Sequence, residues 1–132
     1  MQKSVELLHG IVDFETIAKG QLVITITKYI RDREKVCEIR FDKIESFLKL
    51  SEPMEVTCNG RVQILDDSLD KWQNVEMIIV RAKEHTEKQY VVYIIDFTWG
   101  ENQGRQFKFI EPEYKEMREV VLEMSKIKRI NL

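Results

Sequence analysis

The run 89–99, Q-Y-V-V-Y-I-I-D-F-T-W, limits what this chain can fold into more than any other part of it. It is dense in β-branched and aromatic residues, which favour extended backbone. Val91, Tyr93, Ile95, Phe97 and Trp99 share one face at a period of two. Tyr90, Val92 and Ile94 share the other, which turns polar only at Asp96 and Thr98. A strand apolar on both faces is normally covered on both sides. The run is therefore expected in the middle of a single antiparallel layer, roofed by another element.

The C-terminal stretch supplies the roof. Pro112 suits the first turn of a helix, where its missing N–H costs nothing. Glu111, Glu113 and Glu116 near the start and Lys126, Lys128 and Arg129 near the end complement a helix dipole. Tyr114, Met117, Val121 and Met124 recur at three and four residues, and Val120 and Ile127 widen the stripe. That is the pattern of an amphipathic helix packed on a sheet.

The rest of the chain reads as further antiparallel strands. Ile11–Ala18 and Gln21–Ile30 alternate about the turn signal Lys19-Gly20 and predict a β-hairpin. The charge run 31–35 reads as a solvated tip, and Val36–Phe41 returns with Cys37, Ile39 and Phe41 inward. Asp42–Leu50 admits two patterns. Ile44, Phe47 and Leu48 have helical spacing, and Asp42 with Glu45 resembles a capping box; Ile44, Ser46, Leu48 and Leu50 also alternate. Ser51, Glu52 and Pro53 end the segment within about two turns, so a strand or irregular edge is expected. Next, a three-residue loop of Cys58, Asn59 and Gly60 would set Val56 against Val62 and Met54 against Ile64, keeping both apolar stripes on one face. Asp66–Asn74 is a polar connection interrupted by Trp72. Val75–Ala82 is another strand, Lys83–Lys88 a charged tip carrying His85, and Arg105–Ile110 the last strand, with Phe107 and Phe109 inward. Residues 1–10 stay ambiguous between a strand and a helical turn.

These elements predict a single domain, 1–132, of the α+β class and mostly antiparallel β: a rolled sheet or small barrel of six to eight strands with one C-terminal α-helix. The order resembles the architecture of pleckstrin-homology-like domains over most of the chain. The resemblance implies phosphoinositide binding through basic residues of the first hairpin loop. Here that loop is Lys19-Gly20, and the next, R-D-R-E-K, mixes signs, so binding at a membrane surface is not expected. A second similarity, to small bacterial toxin-immunity proteins, rests on Leu8-His9 before the first hairpin and on Ile39-x-Phe41 leading to Phe47. Patterns this short carry no function across.

Charge narrows the partners. The 21 Lys and Arg against 23 Asp and Glu give a formal net charge of -2, so the basic surface needed for nonspecific nucleic-acid binding is not indicated. No run has the length of a membrane span or the apolar core of a signal peptide, and a cytoplasmic protein is expected. In that compartment Cys37 and Cys58 are expected as buried free thiols.

Six residues are candidates for binding. His9 has Asp13 and Glu15 near it along the chain, which is the raw material of a metal or acid–base site. It offers one nitrogen ligand, however, where zinc takes three or four protein ligands, so a packing or surface histidine is the plainer role. His85 reads as a solvated tip residue. Trp72 either lids one edge of the core or marks a partner surface. Asp96 is a carboxylate inside an apolar strand and must find a donor. Arg105, across the predicted hairpin, is the expected one, and Tyr93 and Trp99 would flank a pocket beside the pair. There is no nucleophile elbow, phosphate-binding glycine loop or nucleotide fingerprint. No catalytic residue, cofactor or metal is assigned, and the reading leans against an enzyme. The leading expectation is a small non-enzymatic interaction module that takes a protein partner through an exposed sheet edge or face, with a homodimer through a sheet edge kept open. The alternative is a small-molecule-binding protein or enzyme with a pocket near Tyr93, Asp96 and Trp99.

Overall fold

The computed structural model describes residues 2–17, 20–29, 33–51, 54–58, 61–85 and 90–130, apart from the side chains of 33–35, 51, 54, 83–85, 90 and 127–130. The chain runs β1 (Gln2–Leu7), β2 (Gly10–Ile17), β3 (Gln21–Tyr29), β4 (Arg33–Phe41), α1 (Ile44–Leu48), a 3-10 turn (Lys49–Ser51), β5 (Met54–Thr57), β6 (Val62–Asp66), β7 (Gln73–Asn74), β8 (Met77–His85), β9 (Tyr90–Thr98), β10 (Gly104–Ile110) and α2 (Glu111–Ile130). The ten strands among the described residues form two antiparallel sheets, ordered β1-β2-β3-β4-β6-β7 and β10-β9-β8-β5. The two strands beyond the expected set are β1, from the ambiguous N-terminal stretch, and the two-residue β7.

The α+β class, the antiparallel strands and the C-terminal helix are as expected, but the single layer is not. β9 does lie inside its sheet, bonded on one side to β8 and on the other to β10. Its inner face, with Ile95 and Phe97, meets the other sheet as well as the helix. Val12, Phe14, Ile24 and Ile39 from the first sheet and Ile95, Phe97, Phe107 and Phe109 from the second belong to one core cluster. Among the described residues neither sheet closes into a barrel. On the outer face of β9, Ile94 is 6% exposed and lies opposite Arg81 and Lys108 in the ladder, where long stems shield apolar neighbours.

The hairpin of β2 and β3 has the expected register, with Val12 opposite Ile26 and Phe14 opposite Ile24. Residues 18–19 of its turn lie outside those described; Gly20 has φ +76°, a left-handed conformation that glycine adopts without strain. The tip residues 31–32 and 86–88 also lie outside the described residues.

Two local expectations are overturned. Residues 44–48 are helical rather than extended. Ile44, Phe47 and Leu50 are all buried, and that spacing reaches the core only from helical backbone. The five-residue α1 has Lys43, not Asp42, at its N-cap, with no side-chain cap bond there; burial, not local propensity, holds the helix. The hairpin of β5 with β6 does not form either. The Arg61 N–H bonds to the Cys58 carbonyl (3.0 Å), and residues 59–60 of the expected loop lie outside those described. The strands then part into different sheets: Val56 faces Ile78, and Val62 faces Phe41.

Helix α2 buries Tyr114, Met117, Val121 and Met124 as the stripe predicts and packs on α1, β1, β9 and β10. The Tyr114 hydroxyl donates to the Leu50 carbonyl, and its ring stacks on Tyr93 at 4.3 Å and 7°. Among the described residues no helix is long and apolar enough to cross a membrane.

Candidate functional site

Alternation along β9 separates the residues expected to flank one pocket. Tyr93 and Trp99 face inward, Tyr93 against Tyr114 and Trp99 only 5% exposed. Asp96 faces outward, where it accepts hydrogen bonds from Arg81 (2.7 Å) and Gln106 (2.8 Å). Arg105 is not its partner. In the register Arg105 lies opposite Phe97, so its side chain leaves the sheet on the other side and bridges to Asp66 and Ser68 in the facing layer. Trp72 is half-buried and lies under the Arg40 guanidinium, 4.2 Å from the ring centre. His9 is exposed at the β1–β2 turn, while Asp13 is engaged by the Ser4 hydroxyl at 2.5 Å. Among the described residues no three His, Cys, Asp or Glu gather where a metal could sit.

Both cysteines are buried thiols, as expected. Burial and the nearby Asp66 carboxylate push the Cys37 thiol up to about 12, and burial pushes Cys58 up to about 11. Each therefore stays protonated at neutral pH, the inert form of a thiol.

Two spaces differ in kind. Between the sheets lies an apolar void of about 20 Å³, lined by side chains such as Phe14, Phe41 and Phe107. It has the room of a single water but offers no polar partner, so it stays dry. The second is a groove of about 190 Å³ at the open end of the two layers. Leu7, Ile26, Phe107 and Phe109 give it an apolar floor, and His9, Lys28, Lys108 and Glu113 surround it.

Leu8 stands on the rim of this groove with 71% of its surface exposed, whereas Tyr29, 40% exposed, lies on the face of β3 opposite the groove-lining Ile26 and Lys28. These are the two large hydrophobic side chains exposed among the described residues, and one backbone bond, from the Tyr29 N–H to the His9 carbonyl (2.9 Å), ties their segments together. Leu8 is held there by a distant group. One Glu113 oxygen accepts the Ile110 N–H (3.1 Å), the reach-back half of a capping box at the start of α2. The other accepts the Leu8 N–H (2.8 Å), 105 residues away in sequence.

Leu8 lies in the turn beyond β1, where strand alternation does not apply, and the sequence carried no signal that would place it outward. Gly10 then lets the turn sit close on β3. A Cβ at that position would come 2.3 Å from the Thr27 carbonyl oxygen and 3.1 Å from the Lys28 Cα. Gly10→Ala is accordingly expected to cost about 1–3 kcal/mol through backbone displacement, measured by urea unfolding, and to loosen the Leu8 turn.

Comparison with family models, curated proteins and solved structures finds no match to this chain.

Proposed function

We propose that the protein is an interaction module that receives a segment of another protein at the open end of its two sheets. The observation that carries this reading is Leu8, an exposed apolar residue whose backbone N–H is held by the Glu113 carboxylate beside an apolar-floored groove. An isolated surface leucine is ordinary, but one on the rim of an open apolar floor is the composition of a contact surface. The groove, at about 190 Å³, is smaller than the several hundred Å³ typical of cofactor and substrate pockets, which favours the entry of one side chain.

Panning a phage-displayed library of random dodecapeptides against the immobilised protein tests the reading. Binders are expected to emerge whose affinity falls by at least about tenfold with Leu8→Asp, while the circular dichroism spectrum is unchanged. A library that yields no binder, or binders indifferent to that substitution, would overturn the reading.

A further inference from the structure

The groove and an open sheet edge share the same stretch of chain. Among the described residues β10 pairs with β9 alone, so one side of its seven residues is unpaired in the sheet. Two observations show which groups face that side. The Trp99 N–H bonds to the Gln103 carbonyl, which places Arg105, Phe107 and Phe109 in the hydrogen-bonded phase of the β9–β10 ladder. The Ile110 N–H turns away from β9 to Glu113. In an antiparallel pair both backbone groups of a residue point to the same side, and sides alternate. The N–H and C=O of Gln106 and Lys108 therefore point to the open edge. Phe107 and Phe109, beside them, form part of the groove floor.

Resting on the interaction-module reading, we infer that the partner segment binds as an added strand on β10, with an apolar residue in the groove and acidic residues on both sides of it. A residue laid opposite Phe107 or Phe109 points inward, into the groove. Its two neighbours point outward, to the face that carries Lys108. Charge selects the partner. β10 contains Arg105 and Lys108 and no carboxylate, and Lys28 stands at the groove as well. Arg105 is answered by Asp66, and the Glu113 carboxylate by two backbone N–H groups. A second copy of β10 would bring a further Lys108 to the edge with no anion to meet it, which disfavours self-pairing and favours an acidic strand. Backbone bonds would give affinity and the alternating side chains specificity, as in other strand additions.

A seven-residue peptide, acetylated and amidated, with leucine at its centre and aspartate or glutamate elsewhere, serves as the probe. Its binding is expected to slow amide exchange of Gln106 and Lys108 by at least about tenfold. Lys108→Glu should weaken binding on the order of tenfold, Lys108→Arg should largely retain it, and added salt should reduce it. A lysine version of the peptide that binds equally well, unprotected Gln106 and Lys108 amides in the complex, or self-association through β10 would each overturn the inference. Library peptides that depend on Leu8 but do not protect those amides would sink strand addition and leave the interaction module standing. If the library also yields no Leu8-dependent binder, both fall.

Discussion

Arg105→Ala is expected to lower the unfolding free energy at pH 7 by about 3 kcal/mol, because it strands a buried carboxylate. Asp66 is 4% exposed at the end of β6 and is reached by Arg105 from β10 in the opposite sheet. The Arg105 Nη2 donates to Asp66 Oδ1 (2.8 Å) and to the Ser68 Oγ (3.1 Å), while the Ser68 N–H (2.9 Å) and hydroxyl (2.8 Å) also donate to Asp66. The cluster thus joins the layers and closes the turn after β6. Burial pushes the Asp66 carboxyl up, but the bonds from Arg105 and Ser68 outweigh it and hold the group at about 2 against an ordinary 3.8. A carboxylate whose folded pKa is depressed stabilises the fold above its unfolded pKa and loses that contribution as pH falls through the folded one. Nearly two pH units at 1.36 kcal/mol each make about 2 kcal/mol, present at pH 5 and lost progressively between about pH 4 and 2. Urea titrations across that range should show this loss in the native protein and not in Asp66→Asn. A cost below about 1 kcal/mol for Arg105→Ala, the level of an exposed ion pair, would show that the bridge contributes little.

That bridge also shows where sequence reading reaches and where it stops. Sign and rough proximity made Arg105 the natural partner of Asp96. The register makes Asp96 face Gln106 and Arg105 face Phe97, which sends the two charges to opposite sides of the sheet. One residue of register decides the matter, and local pattern does not specify it. Where periodicity is local and long, the reading holds: the β2–β3 hairpin, β9 and the α2 stripe were all legible. At β5 and β6 each strand finds a better partner elsewhere, and that competition is invisible in a short window. The groove was not legible: residues 1–10 read as ambiguous, Leu8 falls in a turn beyond the strand's alternation, and Lys28, Phe107, Lys108 and Glu113 meet it only through the fold's topology.

The segment 44–50 was the hardest to read, and it carries the other large expected effect. Phe47→Ala should cost about 3–5 kcal/mol, the range for removing a buried aromatic ring without collapse of the site. Phe47 is 4% exposed and meets Phe14 (6.0 Å, 74°) and Phe41 (5.8 Å, 86°) edge to face. It also lines the apolar void of about 20 Å³, so truncation enlarges an existing defect instead of opening one that neighbours could fill. Because α1 has no side-chain cap, losing this anchor should cost the helix itself, and Phe47→Leu, which keeps most of the volume, should cost less than about 1.5 kcal/mol. Urea unfolding of the two variants beside Leu48→Ala, at a half-buried position, gives the comparison; equal costs for Phe47→Ala and Leu48→Ala would mean that burial does not hold α1. The effect should also travel. α1 leads directly into Leu50, whose carbonyl accepts the Tyr114 hydroxyl, and Tyr114 lies one residue after Glu113 on α2. Loosening that seat frees the carboxylate that holds the Leu8 N–H. Exchange of the Leu8 amide should therefore quicken in Phe47→Ala, although nearly forty residues separate the two positions in sequence.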